Sequence, residues 1–321
     1  GWNIGAGGYS SAAASYVSKN NLVSNNRIVN GGKLVGHGGG IYMNQSGDNE
    51  ISYNEIKTMS RGGIVIQGTA LVYFPEAQYI PEVGWQAEAY CITVTETNYY
   101  EFNHSRNNDI KFNDASVCML DSQDGAVFYT SQCGRDNVLD NNRFHDSRQA
   151  TLNPGYVFGI YIDDEASYWT VTNNIVYGIN EGGGAGCPLF VKGIYNRCIN
   201  NILADNNDNL PTWSHQVRIQ ATNGSYPASH HLTFSRNIYD QVNGYMIYNW
   251  EQWFDETDRV ESDYNLLYHP GGSYNVNGIP GDDTWTNWKT LFSNKLDQNS
   301  VIGDPLFVDR ANHDYTVQAG S

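Results

Sequence analysis

Apolar and polar residues alternate along this chain in short runs, and the helical period is nearly absent. The clearest runs are Gly40 to Asn44, Gly63 to Gln67, Ala126 to Thr130, Gly159 to Asp163, Pro188 to Lys192, Gln216 to Gln220 and Tyr245 to Asn249. Alternation of this kind marks a strand with one buried face. Between the runs a second signal recurs, an asparagine followed two residues later by an apolar or small residue. It stands at Asn26, Asn54, Asn113, Asn142, Asn174, Asn201, Asn237 and Asn265, with spacings of 28, 59, 29, 32, 27, 36 and 28. Most spacings are one period and 59 is about two. A fixed period of this size signals a repeat whose units bury their apolar faces only by stacking on neighbours.

Short strands at that interval, punctuated by Gly, Asn, Asp and Ser, predict an all-β chain coiled into a right-handed parallel β-helix. The hand follows from the general preference of parallel crossovers. Asparagines at one corner of each coil can hydrogen-bond amide to amide in a ladder while inward Ile, Val, Leu and Met stack into a core. The whole chain, residues 1–321, reads as one such domain, with insertions over about 69–105 and 268–299 that either wall a binding face or cover the solenoid. The ends at Gly1 and Ser321 show no obvious cap, which suggests a piece of a longer protein.

Aligning the runs puts Asn44, Gln67, Thr130, Asp163, Lys192, Gln220 and Asn249 in one column. Tyr42, Val65, Phe128, Tyr161, Phe190, Arg218 and Ile247 fall in the column beside it. Charge gathers in the middle coils: Asp121 and Asp124 before one strand, Asp163 and Asp164 after the next, then Lys192 and Arg218. Glycoside hydrolysis needs two carboxyl groups, about 5–5.5 Å apart for retention and about 6.5–9.5 Å for inversion. Coils stack about 5 Å apart, so acids on adjacent coils meet either distance. Asp124 and Asp163 are the expected catalytic pair, with Asp121 and Asp164 as alternates. Lys192, Arg218, Tyr161, Phe128 and His145 are expected to contact substrate. Trp250 and Glu251, in the run Trp250 to Trp253, offer a ring face beside a carboxylate. His37 and His215 fit either the same groove or a coil corner. Each Asp taken alone also fits turn capping. No cofactor is required, and Ca2+ bound by the four aspartates is an alternative use of them.

The Asn-x-apolar corner, the Gly-Ile-x-Ile strand and Gly-Ile-Tyr-Ile-Asp-Asp at 159–164 resemble the pectate-lyase-like β-helix superfamily over roughly residues 17 to 310. Within it the chain looks most like the β-helical glycoside hydrolases and their secreted relatives. The resemblance implies an enzyme acting on a polysaccharide or oligosaccharide. It also brings the alternative of a lyase or uronate epimerase using Lys192 and Arg218 with Ca2+. A non-catalytic glycan-binding β-helix is the third class.

Composition narrows the choice. The 18 Lys and Arg against 34 Asp and Glu give a net charge of −16, which disfavours nucleic acid and weighs against a polyanionic glycan. No apolar run is long enough to cross a membrane. Five cysteines, an odd count without zinc spacing, read as buried free thiols. Few lysines with abundant Tyr, Trp and Asn suit a secreted or periplasmic protein that handles glycans.

Overall fold

The computed structural model describes residues 18–34, 38–70, 99–147, 155–179, 186–206, 215–220, 229–240, 260–270, 274–279 and 281–319, with backbone alone for 79–80, 84–85 and 246–250. His37, Cys91, Glu251, Trp253 and most of the first insertion lie outside these residues.

Among the described residues the strands form three long parallel sheets of eight, nine and eight strands. The first sheet runs from Leu22–Ser24 to Val260–Asp263, the second from Arg27–Gly31 to Val301–Ile302, and the third from Ile41–Asn44 to Val276–Asn277. Each full coil gives one strand to each sheet, so the chain is a parallel β-helix. Its core is a set of stacked rows. Ile51, Ile110, Leu139 and Val171 come from the first sheet, Ile56, Ala115, Phe144 and Val176 from the second, and Ile64, Phe128, Ile160 and Leu189 from the third.

Two residues join each first-sheet strand to the second sheet, and the second of them is the periodic asparagine. The first, from Asn25 through Tyr53, Phe112, Asn141, Asn173, Asn200 and Arg236 to Tyr264, always has a positive φ, between 54° and 60°. That conformation is strained for large side chains. At these positions the ladder offsets the strain. Each asparagine Nδ2 donates to the Oδ1 of the next coil in seven successive links of 2.9–3.2 Å. The same Oδ1 also accepts the backbone N–H of the preceding coil's asparagine. Buried polar groups are thereby paired at every turn. A second ladder, not apparent in the sequence, joins Asn21, Asn49, Asn108 and Asn137 at the entry to the first sheet. Trp169 takes the next place in it, with its N–H on Asn196 Oδ1 at 2.8 Å.

Two expected registers are corrected. Phe128 pairs with Ile160, Tyr129 with Tyr161, and Thr130 with Ile162. The run at 126–130 therefore sits one residue away from its expected alignment, because Val127 occupies the row that Gly63 and Gly159 hold in neighbouring coils. A one-residue slip in a strand exchanges its two faces. Phe128 is consequently a fully buried core residue, not a substrate contact, and Tyr129 takes the outward place beside Tyr161. The run at 245–249 is displaced by two residues, which keeps its faces: Asn249 pairs with Arg218 and not Gln220, and Trp250 falls in the row of Ile219.

The far end is closed by the helix Trp285–Asn294. Thr284 caps it by accepting from the Asn287 N–H. Trp288 is fully buried, and its Nε1 donates to Asp297 Oδ2 at 2.8 Å. Asp297 Oδ1 accepts from Asn265 Nδ2, so this carboxylate ends the ladder. The four described cysteines, Cys118, Cys133, Cys187 and Cys198, are free and buried. Among the described residues no helix is long and apolar enough to cross a membrane.

Candidate functional site

Asp163 and Lys192 follow the third-sheet strands Val157–Ile162 and Gly186–Val191 on adjacent coils. Ile162 and Val191 pair with each other and face the core, so the next residue of each strand turns outward at the same level. The Asp163 N–H donates to Thr130 O at 2.8 Å and the Lys192 N–H to Ile162 O at 2.8 Å, which continues the register past the strand ends. Lys192 Nζ lies 2.7 Å from Asp163 Oδ1 and 2.9 Å from Asp164 Oδ1. The Tyr129 hydroxyl donates to Asp163 Oδ2 at 2.8 Å. Both oxygens of Asp163 are thus engaged, and its side chain is only 10% exposed. The Asp164 side chain is 33% exposed and meets solvent.

Beneath these charges lies an apolar cluster outside the solenoid core, built from Val65, Ala126, Tyr129, Phe158, Tyr161, Cys187 and Phe190. Tyr161 and Phe190 stack at 4.5 Å and Tyr129 meets Tyr161 edge-on at 5.4 Å. Lys192 Nζ stands 5.6 Å and 5.3 Å from the Tyr161 and Phe190 ring centres. The expectation that Tyr161 touches substrate is corrected here. It is 3% exposed, covered by the charged layer it supports. An accessible ring beside this cluster is Tyr156, 46% exposed and stacked on Phe158 at 6.2 Å, with the Arg218 guanidinium 5.2 Å from its centre. Arg218 also lies 4.7 Å over Phe190, and Arg61 lies 5.7 Å over Tyr129.

Asp124 precedes the strand Gly125–Ser131 and Asp163 follows the strand of the next coil, so the expected pair lies on adjacent coils but at opposite strand ends. Its N–H donates to Tyr156 O at 2.9 Å, and its carbonyl accepts from Arg61. The residue as a whole is exposed, yet partial desolvation, then the charge of Asp163, raises its carboxyl above the usual value. Lys192, Arg61 and Arg218 pull the other way. Asp164 is raised by the same two causes, desolvation first and Asp163 second. For Lys192 burial acts to lower the pKa, but Asp163 and Asp164 outweigh it and hold the ammonium charged. Asp163 thus adds to the desolvation that raises two more accessible carboxyls, Asp124 and Asp164.

The remaining expected residues lie elsewhere. Asp121 is exposed, with its N–H on Ser60 O. His145 is not at this site. It pairs with Ser116 and Tyr177 in the second sheet, where Nε2 and Nδ1 meet Asp114 and Asp146 at 2.8 Å and 2.7 Å. Sequence order does not say which of three sheets a residue belongs to. His215 is buried at the start of its strand, and burial, with Arg218, lowers it to about 3. Arg61, Tyr129 and Tyr156 were missed. Correct register identifies Tyr129, while Arg61 and Tyr156 sit outside the repeating strands.

Among the described residues no group of three or more His, Cys, Asp or Glu is arranged to hold a metal ion. The Lys192 ammonium already bridges Asp163 and Asp164. Comparison with family models, with curated proteins and with solved structures returned no match to this chain.

Proposed function

We propose that the protein is a secreted carbohydrate-active enzyme, a glycoside hydrolase that takes a polysaccharide or oligosaccharide over the outer face of the third sheet. The observation that carries this reading is the graded set of acids around Asp163. Asp124, with its raised carboxyl, is suited to protonate a leaving glycosidic oxygen. The Asp163–Asp164 pair, bridged by Lys192, supplies the opposing negative charge that an oxocarbenium-like transition state needs. Tyr156 offers the exposed ring on which a sugar face can stack.

Lys192 argues against the lyase or epimerase reading. An ammonium held charged between two carboxylates does not abstract a C5 proton. The test is a screen of plant and algal polysaccharides, read by reducing ends and by the ultraviolet absorbance of an unsaturated uronate, with and without Ca2+. Wild-type protein should release reducing ends without that absorbance, and Asp124→Asn and Asp163→Asn should each lose activity while folding. Full activity in both variants would overturn the assignment, and the absorbance would move it to the lyase. Glycan binding without turnover would leave a binding protein.

A further inference from the structure

The outer face of the second sheet is covered at one end by a distant part of the chain. Register gives its outward rows. One is Arg143, Ile175, Ile202, Ile238 and Leu266, and the other includes His145, Tyr177, Ala204, Asp240 and Tyr268. Ile175, Ile202, Tyr177 and Ala204 point away from the core, yet they are packed. They lie under Phe307 and Tyr315, one from each strand of the antiparallel hairpin Phe307–Asp309 and Asp314–Val317. His313 stacks on Tyr177 at 4.5 Å.

Arg310, in the turn of this strap, reaches two carboxylates on successive coils. Its Nε donates to Asp205 Oδ1 at 2.7 Å, and its guanidinium meets Asp240 Oδ2 at 2.9 Å. The Tyr315 hydroxyl donates to Asp205 Oδ2 at 2.8 Å. Asp240 points outward from the sheet and is nonetheless fully buried, with Arg310 against it. The charges beneath the strap do not balance. Asp205, Asp240 and the nearby Asp304 face a single guanidinium, and Arg310 is shared with Asp205. A buried carboxylate without a cation of its own takes up a proton instead. We propose that the strap is a pH-dependent clasp, whose docking on the second sheet takes up a proton at Asp240 and loosens as the solution rises toward neutrality.

Burial, opposed by Arg310 and reinforced by Asp205 and Asp304, raises the docked Asp240 to about 7. With the strap released, the carboxyl meets water and returns to about 3.9. Between these values the docked state binds more protons. Docking is therefore strongest at low pH, weakens by up to about tenfold per pH unit as pH rises, and levels off above the docked value. Of the other facing groups, Arg310 stays charged, and Tyr315 is raised by burial and Asp205, so it stays neutral. Tyr268, raised by burial and Asp304, is neutral as well. His313 stands in the same turn, with its N–H on Arg310 O at 3.0 Å, its Nδ1 3.1 Å from the Tyr315 hydroxyl, and Tyr177, His145 and Asp146 around it. A solenoid couples only neighbouring coils, so a clasp joining Tyr177, Asp205 and Asp240 ties together coils that otherwise open separately.

Hydrogen exchange of residues 306–318 in the whole protein, corrected for intrinsic rates and followed from about pH 5 to about pH 8, tests this. Wild-type protection should fall with rising pH by up to about tenfold per unit until neutrality. Asp240→Asn should keep the strap protected and remove the slope, which separates Asp240 from His313. Arg310→Met should release the strap at every pH. A flat wild-type profile, a slope that survives in Asp240→Asn, or a strap still protected in Arg310→Met would each overturn the proposal.

Discussion

The asparagine ladder makes a graded prediction, because the same substitution removes different things at different rungs. Asn142 is 2% exposed. Its Oδ1 accepts the Asn113 N–H and the Asn113 Nδ2, both at 2.9 Å. Its Nδ2 donates to Asn174 Oδ1 at 3.0 Å, Ile110 O at 2.9 Å and Asp140 O at 3.1 Å. Asn142→Ala does not strand all of these partners. Asn113 Nδ2 keeps Ile51 O and Lys111 O, and Asn174 Oδ1 keeps the backbone N–H of residue 142. The Asn113 N–H is left unmet in a buried place, and the added bond to the Ile110 carbonyl is lost. An unmet buried group costs about 1–3 kcal/mol, so the variant should lose about 2–5 kcal/mol.

Asn26, at the exposed start of the ladder, gives a different figure. Its Nδ2 donates to Asn54 Oδ1 and Ser24 O, and water can replace it at both. Asn26→Ala should lose at most about 1 kcal/mol. Asn142→Asp sharpens the comparison: it keeps acceptors for Asn113 but turns an oxygen toward Asn174 Oδ1 and Ile110 O. It should be at least as damaging as Ala at neutral pH, and less so once protonated. The assay is denaturant unfolding followed by far-ultraviolet circular dichroism, comparing midpoints at unchanged slope. Equal losses at Asn142 and Asn26, within about 0.5 kcal/mol, would refute the account of the ladder as satisfaction of buried groups.

Two further outcomes follow from register and burial. Phe128→Ala should cost about 3–5 kcal/mol, as for a large core truncation, whereas Tyr129→Phe should cost about 1 kcal/mol through its lost bond to Asp163; the reverse order in a denaturation series would overturn the third-sheet register. Burial raises the Cys118, Cys133 and Cys187 thiols to about 12 and the Cys198 thiol further still, so none of these four should react with a thiol reagent before unfolding; native labelling at any of them, located by mass spectrometry, would contradict the core packing.

The fold was legible because one corner of every coil has the same chemical problem and solves it with the same residue. An asparagine is needed wherever the chain leaves a left-handed residue and must satisfy the next coil, so Asn54 and Asn142 look alike in sequence as well as in space. The second ladder was hidden, since Trp169 interrupts it after Asn137 and removes the period. The site was legible as a level of the solenoid and not as a geometry. Asp163, Asp164 and Lys192 do meet, whereas His145 was placed on the wrong sheet and Phe128 on the wrong face. Val127, in the row that Gly63 and Gly159 hold in the neighbouring coils, was enough for that second error. At Gly159, where the rule does hold, an added Cβ would meet Val176 and the Pro188 carbonyl within 2.6 Å. The strap was invisible for another reason. Arg310 and Asp205 are 105 residues apart and belong to no repeat, and outward-facing Ile175 and Ile202 read as ordinary strand residues until Phe307 covers them.

Two buried ion pairs can now be set against each other. Removing charges from water is expensive, and apolar residues of similar volume often serve a fold as well or better. Arg310 with Asp205 and Asp240 has a structural use, because together with Phe307 and Tyr315 it fastens the strap across two successive coils. Lys192 with Asp163 has no such use. The two residues lie on adjacent coils already joined by backbone hydrogen bonds from Val157–Ile162 to Gly186–Val191, and the apolar cluster beneath them packs without their charge. In the same column Gln67 and Ser131 show that an uncharged residue suffices for the coil. A tether therefore does not explain Asp163, Asp164 and Lys192. What their charges do is act on titration: Asp163 adds to the desolvation that raises Asp124 and Asp164, Lys192 opposes it, and the two acids hold Lys192 charged. Replacing Lys192 and Asp163 together by Met and Leu separates the two uses: in denaturant unfolding the fold should hold or gain in stability, while release of reducing ends should be lost.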